Sequence, residues 1–198
     1  FNDLAEHLQS MYRNLEAKVA EKTCQLQEKG ERLQALYDVS TLITDATTLE
    51  ALASRFTQRI ARVAHADAVA LRWSDEGNQR YLLLASQGLP QAMIEHEQCL
   101  KAGDCHCGAP LTAPGVRVIP VQALPRGNLG HCTRADFGTV VSLPIRLHER
   151  TMGELDLFYN AEVAPSQAER SLLEALVAHL SAAMENLRLD SLSKEAAV

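Results

Sequence analysis

The chain has 198 residues, a hydrophobic fraction of 46% and 25 acidic against 19 basic side chains, a formal net charge of −6; this is enough chain for one ordinary globular core plus an extended element. The basic residues form no patch interleaved with aromatics, which argues against nucleic acid as a direct partner. No run approaches the roughly 18 apolar residues a bilayer crossing needs, and "FNDLAEHLQS" lacks the basic start and apolar core of a signal peptide, so the fragment reads as soluble and not membrane-spanning.

From Phe1 to about Ile43 there is no proline and a single glycine, Gly30, and apolar residues recur as Leu4, Leu8, Met11, Leu15, Val19, Leu26, Leu33, Leu36 and Ile43. Intervals of three, four and seven are the seam of a coiled coil, with "EAKVAEKT" and "QEKGER" as solvated faces. Such a stripe requires a partner, most simply the same helix of a second copy in a parallel homodimer. The Met11–Leu15–Val19 spacing inserts a stutter that locally unwinds a supercoil. Gly30 costs about 1 kcal/mol relative to alanine in a helix interior, and Lys22 and Lys29 stand where the seam prefers leucine. A rod with these interruptions can exchange between two packings. The bland alternative is that they are flaws in a static spacer.

A second helix is predicted from Thr47, where "TTLE" reads as a capping box closed by Glu50 and Leu49, Leu52, Phe56, Ile60 and Val63 share one face. "DAVALRWS" and "RYLLLASQG" read as strands joined by "DEGNQ", and "VRVIPV", "GTVVSLPIRLH" and "GELDLFYN" as three more. Val141, Leu143, Ile145 and Leu147 alternate with Ser142, Pro144 and Arg146, and Leu155, Leu157 and Tyr159 repeat the alternation, which predicts a sheet with one covered face. Pro144 predicts a strand edge or a bulge. A last helix begins after Ser166, whose capping box is completed by Glu169, and carries Leu173, Leu176, Leu180, Met184 and Leu187 toward "LSKEAAV" without a stop signal. The chain reads as cut in mid-helix at both ends, and the order of elements gives an α+β fold: an antiparallel sheet flanked by helices, with a long N-terminal coiled-coil helix and a long C-terminal helix.

Residues 33–189 resemble a GAF domain. "LYDVSTLI" and "LEALASRFTQRIARVAHADAVALRW" are similar to its opening helices and first strand, "VVSLPIRLHERTMGELDLFYN" to its paired late strands, and "ERSLLEALVAHLSAAMENLRL" to its closing helix. "FNDLAEHLQSMYRNLEAKVAEKT" resembles the end of a HAMP relay running into a signalling helix, as in nitrate/nitrite sensor histidine kinases of the NarX type. The resemblance implies a HAMP end and signalling coiled coil over 1–43, a GAF-like sensor domain over 33–189 and the start of an output linker helix over 190–198. It further implies a cytoplasmic portion of an inner-membrane protein, with a histidine kinase core as downstream partner in the same chain. Neither a phosphoacceptor box nor a glycine-rich ATP lid stands in these residues, so the fragment itself is expected to be non-catalytic.

The five cysteines are unevenly spread: Cys99, Cys105, Cys107 and Cys132 give the spacing C-x5-C-x-C-x24-C, and Cys24 stands apart. An odd, clustered set points to a reducing compartment in which thiols are ligands or redox groups rather than staples. Four thiolates can hold an iron–sulfur cluster or a tetrahedral zinc ion, and Cys105 and Cys107 on an extended segment point to the same side. His106 and His131 are the substitute nitrogen ligands, against their ordinary reading as loop residues. The spacing matches neither the usual zinc knuckles nor the ferredoxin runs. Four accounts therefore stay open: a cluster sensing oxygen or nitric oxide; a structural zinc or a reversible disulfide; cysteines that are merely loop residues in a ligand-free dimerisation module; and a free-standing GAF-type methionine sulfoxide reductase using these thiols as nucleophile and resolver. Cys24 reads as an exposed thiol on the outer side of the coil.

Overall fold

A computed structural model describes residues 2–44, 46–74, 77, 79–96, 98–101, 115–121, 135–147 and 149–196. Two compact units divide the chain, Phe1–Asp38 and Val39–Val198. The first unit is helical throughout its described residues, as part of helix α1, Asn2–Thr44. Of the predicted seam, Leu4, Leu8, Met11, Leu15, Val19, Leu26 and Leu33 are between 50 and 68% exposed, whereas Leu36 and Ile43 are half-buried. Cys24 is also exposed, as expected. Gly30 has open space around the position a Cβ would occupy, so nothing in this chain demands a glycine there.

The second unit is an α+β fold built on one six-stranded antiparallel sheet. Its elements are α2 (Leu49–Val63), β1 (Ala68–Ser74), β2 (Arg80–Gln87), α3 (Gln91–His96), β3 (Cys99–Lys101), β4 (Arg117–Pro120), β5 (Thr139–Leu147), β6 (Arg150–Tyr159) and α4 (Gln167–Ala196). The strand order is β3-β2-β1-β6-β5-β4. Sequence patterning misses α3 and β3, which are too short to show a period. α4 passes residue 190 without a break.

Caps fix the helix starts. At α2 the N-cap is Thr48, one residue later than expected, and its side-chain oxygen accepts a hydrogen bond from the Ala51 amide at 3.2 Å. That shift takes Glu50 out of the third helical position, so the box predicted from "TTLE" does not close on it. At α4 the box forms in both directions: the Glu169 amide donates to Ser166 Oγ and the Ser166 amide to Glu169 Oε2, at 3.3 and 2.7 Å. Hydrogen bonding to its carboxyl from the Ser166 side chain and the Ser166 amide holds Glu169 below the usual glutamate range.

Residues paired across the ladders share a face of the sheet. One face carries Val69 and Leu71, Leu155 and Leu157, and Val141, Leu143 and Ile145. It is covered by α2, which packs on β1 and β2, and by α4, which packs on β5. Leu52, Phe56 and Ile60 from α2 and Leu173, Leu176, Leu180 and Met184 from α4 are buried there, at about 1.5–3 kcal/mol per side chain removed from water. Tyr159 closes one end of this layer by donating from its hydroxyl to the Ala64 carbonyl at 3.0 Å. Burial, with the nearby Glu169 and Asp67 charges adding to it, pushes that phenol up to about 12.

Pro144 is not on the edge strand, because β5 has β6 on one side and β4 on the other. The β4 ladder, however, ends at Ser142, and the β6 ladder shifts register between Ile145 and Arg146. Pro144 therefore sits past the last β4 pairing and beside a bulge, where a missing N–H costs no ladder bond on the β4 side.

The expectation of a sheet with only one covered face is overturned. Ser142, Glu154 and Asp156, which alternation would send to water, are at most 1% exposed. The second face is covered as well. Ala68, Ala70, Leu89, Met93, Ile119, Val121, Phe137, Val140 and Phe158 form an apolar cluster on it, with Phe137 and Phe158 ring centroids 5.0 Å apart.

Candidate functional site

The site is the polar patch set into that second face. Rows of paired residues run across the sheet: Ala68, Phe158, Val140 and Ile119; then Ala70, Asp156, Ser142 and Arg117; then Leu83, Arg72, Glu154 and Pro144. An apolar row thus gives way, one step along the strands, to a row and a half of charge. Arg72 is brought opposite Leu83 by a register shift between Leu71 and Arg72, where β2 carries one extra residue. Such a bulge re-aims the side chains that follow it. Gly153 lets β6 approach β1 at this point, since a Cβ there would overlap the Arg72 carbonyl.

Arg72 and Asp156 are fully buried and joined through Arg72 Nη1 and Asp156 Oδ2. The Glu154 carboxyl, 1% exposed, lies 4.0 Å from the same nitrogen. Burial pushes Glu154 well above the ordinary glutamate range, the Asp156 charge adds to the shift, and Arg72 opposes it. Burial raises Asp156 as well, against the guanidinium in contact with it. Two carboxyls this close and this dry oppose each other's ionisation, with Arg72 and, from the row of Asp156, Arg117 acting against the shift, and Glu154 is the one held further toward its protonated form. Side-chain hydrogen bonding from Ser142 and Glu154 favours the charged form of Asp156.

Sequence reasoning missed this cluster. The signal was present in three charged residues within strands that are otherwise apolar, "ALRWS" and "GELDLFY", where a solvated edge and a buried site look alike until both faces are known to be covered.

The predicted sulfur site is placed only in part. Cys99 opens β3 as an exposed free thiol. It pairs with Leu82, so it shares the face of Leu82 and Trp73 and lies on the opposite side from Leu100, Tyr81 and Arg72. Cys105, Cys107 and Cys132, with His106 and His131, lie outside the described residues. Among the described residues no group of three or more His, Cys, Asp or Glu is placed to hold a metal ion. No described helix is long and apolar enough to cross a membrane.

The family model of the GAF domain matches residues 46–185. A comparison with curated proteins returned no match. Among solved structures, the chain is similar to the GAF domain of a phosphoenolpyruvate-protein phosphotransferase from Acinetobacter, at 20% identity and a TM-score of 0.67 over 81% of this chain and 96% of that one. It is similar to the GAF domain of a sensor histidine kinase from Pseudomonas syringae pv. tomato, at 22% identity and a TM-score of 0.63 over 88% and 97%. It is also similar to free methionine-R-sulfoxide reductase from Neisseria meningitidis, at 17% identity and a TM-score of 0.67 over 80% and 91%. At these identities the likeness is one of fold.

Proposed function

The chain belongs to the GAF domain family, and on that premise we propose that it is the sensory and relay section of a sensor histidine kinase, working as a parallel homodimer through α1. The observation that carries the reading is the exposed stripe from Leu4 to Leu33 on a helix of 43 residues. Seven apolar side chains at coiled-coil spacing gain burial only against another helix, and the same helix of a second copy aligns like with like.

In this reading movement of α1 is the input from upstream and α4 is the output. The bistable element is the helix pair, loosened at the stutter, at Lys22 and Lys29, and at Gly30. A ligand on the domain biases that pair only by the difference in its affinity for the two packings, typically about 1–3 kcal/mol. The finer assignment is to the NarX-type nitrate/nitrite sensor kinases, on the cytoplasmic side of an inner membrane with the kinase core later in the same chain. It is supported by the "FNDLAEHLQSMYRNLEAKVAEKT" resemblance and by the sensor kinase from Pseudomonas syringae among the fold relatives.

Sedimentation equilibrium tests the assembly. The expected result is a dimer that Leu15→Lys or Leu33→Lys shifts toward monomer with the domain still folded. A wild type that is monomeric at high micromolar concentration overturns the reading.

A sulfur-lined input at Cys99, Cys105, Cys107 and Cys132 belongs to the same proposal. Protein purified without oxygen is expected to show visible absorbance and bound iron that Cys105→Ser removes, and colourless, metal-free protein ends that part of it. Thioredoxin-linked turnover of free methionine sulfoxide would instead support the reductase reading.

A further inference from the structure

We propose that the cavity between α4 and the unpaired end of β5 binds a short zwitterion charged at its two ends, the carboxylate on Arg146 and the ammonium on Glu174. The site is separate from the Arg72 cluster and lies against the helix that the proposed function makes the output. Occupancy stands by itself, and only its effect on signalling rests on that reading.

The cavity follows from where β4 stops. The β4 ladder begins with Arg117 opposite Ser142, and two residues before it Gly115 takes φ +107°, a conformation that favours glycine and breaks an extended run. β5 runs on from Ser142 without a β4 partner, and Pro144 has no N–H to offer a further strand. Between this end of β5 and α4 lies a cavity of about 140 Å³. Leu143, Pro144, Val177 and Ala178 give it apolar walls, and the small side chains of Ala178 and Ser181 keep the helix from filling it. The Ser181 hydroxyl is already used, donating to the Val177 carbonyl at 3.1 Å.

Two side chains of opposite charge complete the lining. Arg146 reaches toward the β5–β6 turn, where its Nη2 donates to the Glu149 carbonyl at 3.5 Å, and its Nε is buried with no hydrogen-bond partner among the described residues. Arg72 and Arg117 act on Asp156, whereas Arg146 has no carboxylate of its own among the described residues. Glu174 is exposed beside Gly115, with Oε1 3.5 Å from where a Cβ on that glycine would stand, and it too makes no ion pair among the described residues. A buried guanidinium N–H without an acceptor is costly, so the Arg146 end favours an anion, and a planar carboxylate matches a guanidinium best. A ligand carrying that charge alone would meet Glu174, and a simple cation would meet Arg146. A zwitterion satisfies both ends and lays its middle on Leu143 and Val177, in keeping with the mostly apolar lining of small-molecule sites. A cavity of about 150 Å³ holds benzene, which sets the ligand at roughly six or seven heavy atoms, the size of 4-aminobutanoate.

The test follows amide chemical shifts of the whole chain, those of Gly115, Ala178 and Ser181 above all, during titration to millimolar 4-aminobutanoate, butylammonium or butanoate at neutral pH. Saturable shifts at these amides are expected with 4-aminobutanoate alone. Arg146→Gln is expected to weaken binding about tenfold, and Glu174→Gln, at an exposed position, about threefold. Ala178→Leu, exposed on α4, fills the cavity and is expected to abolish binding. Thermal melting establishes that the variants are folded, and Ala178→Leu decides should Arg146→Gln fail to fold. Butylammonium or butanoate binding as tightly as 4-aminobutanoate, no saturable binding by wild type, or unchanged affinity in Ala178→Leu each overturns the proposal. Dimerisation through α1 is read separately by sedimentation. A monomer that still binds 4-aminobutanoate removes the relay assembly and leaves the zwitterion site, and a dimer that binds none of the probes does the reverse.

Discussion

The two faces of one sheet are built to different rules. On the face toward α2 and α4, Leu71, Leu143, Leu155 and Leu157 bury nothing but hydrocarbon, and helices seal them. On the opposite face, residues of the same strands one position along bury an arginine, two acids and a serine. The first arrangement is what stability alone selects. The second is one that stability alone discards, because desolvating an ion pair commonly costs more than the attraction returns. At equal burial, the two faces differ in chemistry.

Substitutions test this contrast. Asp156→Ala leaves Arg72 buried without its carboxylate and is expected to cost about 3–5 kcal/mol, measured by urea unfolding. Replacing the pair together, as Arg72→Met with Asp156→Leu, is expected to be near neutral or stabilising. A double variant as damaged as the single one would mean that the ion pair holds the fold, and the contrast between faces would fail. Leu157→Ala on the helix-covered face is expected to cost about 2–5 kcal/mol by cavity formation, with no counterpart change that restores it. At the rim of that face, Tyr159→Phe removes the hydrogen bond to the Ala64 carbonyl for about 1 kcal/mol.

The smallest effect has the opposite sign. Because the folded protein holds Glu154 above its ordinary range, folding retains a proton that the unfolded chain has released. The wild type therefore loses stability as pH rises from the ordinary glutamate range through the raised value. Glu154→Gln removes that dependence, so its melting temperature is expected to exceed that of the wild type increasingly toward alkaline pH. A difference in melting temperature that is the same at pH 5 and pH 8.5 would contradict the upward shift of Glu154.

The sequence made one of these faces legible and hid the other. Periodicity marked α1, α2, α4 and every strand but β3, and the Ser166–Glu169 box placed the start of α4, because these signals are local and repeat over many residues. The same alternation that identified β5 and β6 assigned Ser142, Glu154 and Asp156 to water. A period of two says which residues share a side and nothing about what covers that side. Arg72 and Asp156 are 84 positions apart in the chain, so no local pattern joins them. The four thiols were conspicuous for the opposite reason, as an excess of one residue type, yet composition alone says nothing of where Cys99 points. It lies on the far side of the sheet from Arg72.

The irregularity between β1 and β2 leaves β2 one residue longer than its ladder needs. Leu71 stands opposite Ala85 and Arg72 opposite Leu83, which leaves Leu84 as a surplus rung. Excising Leu84 would straighten the ladder and keep every cross-strand neighbour. Excising Leu83 instead leaves the same chain, because the two leucines are adjacent and identical, so this one shortening regularises the pairing whichever of them is removed.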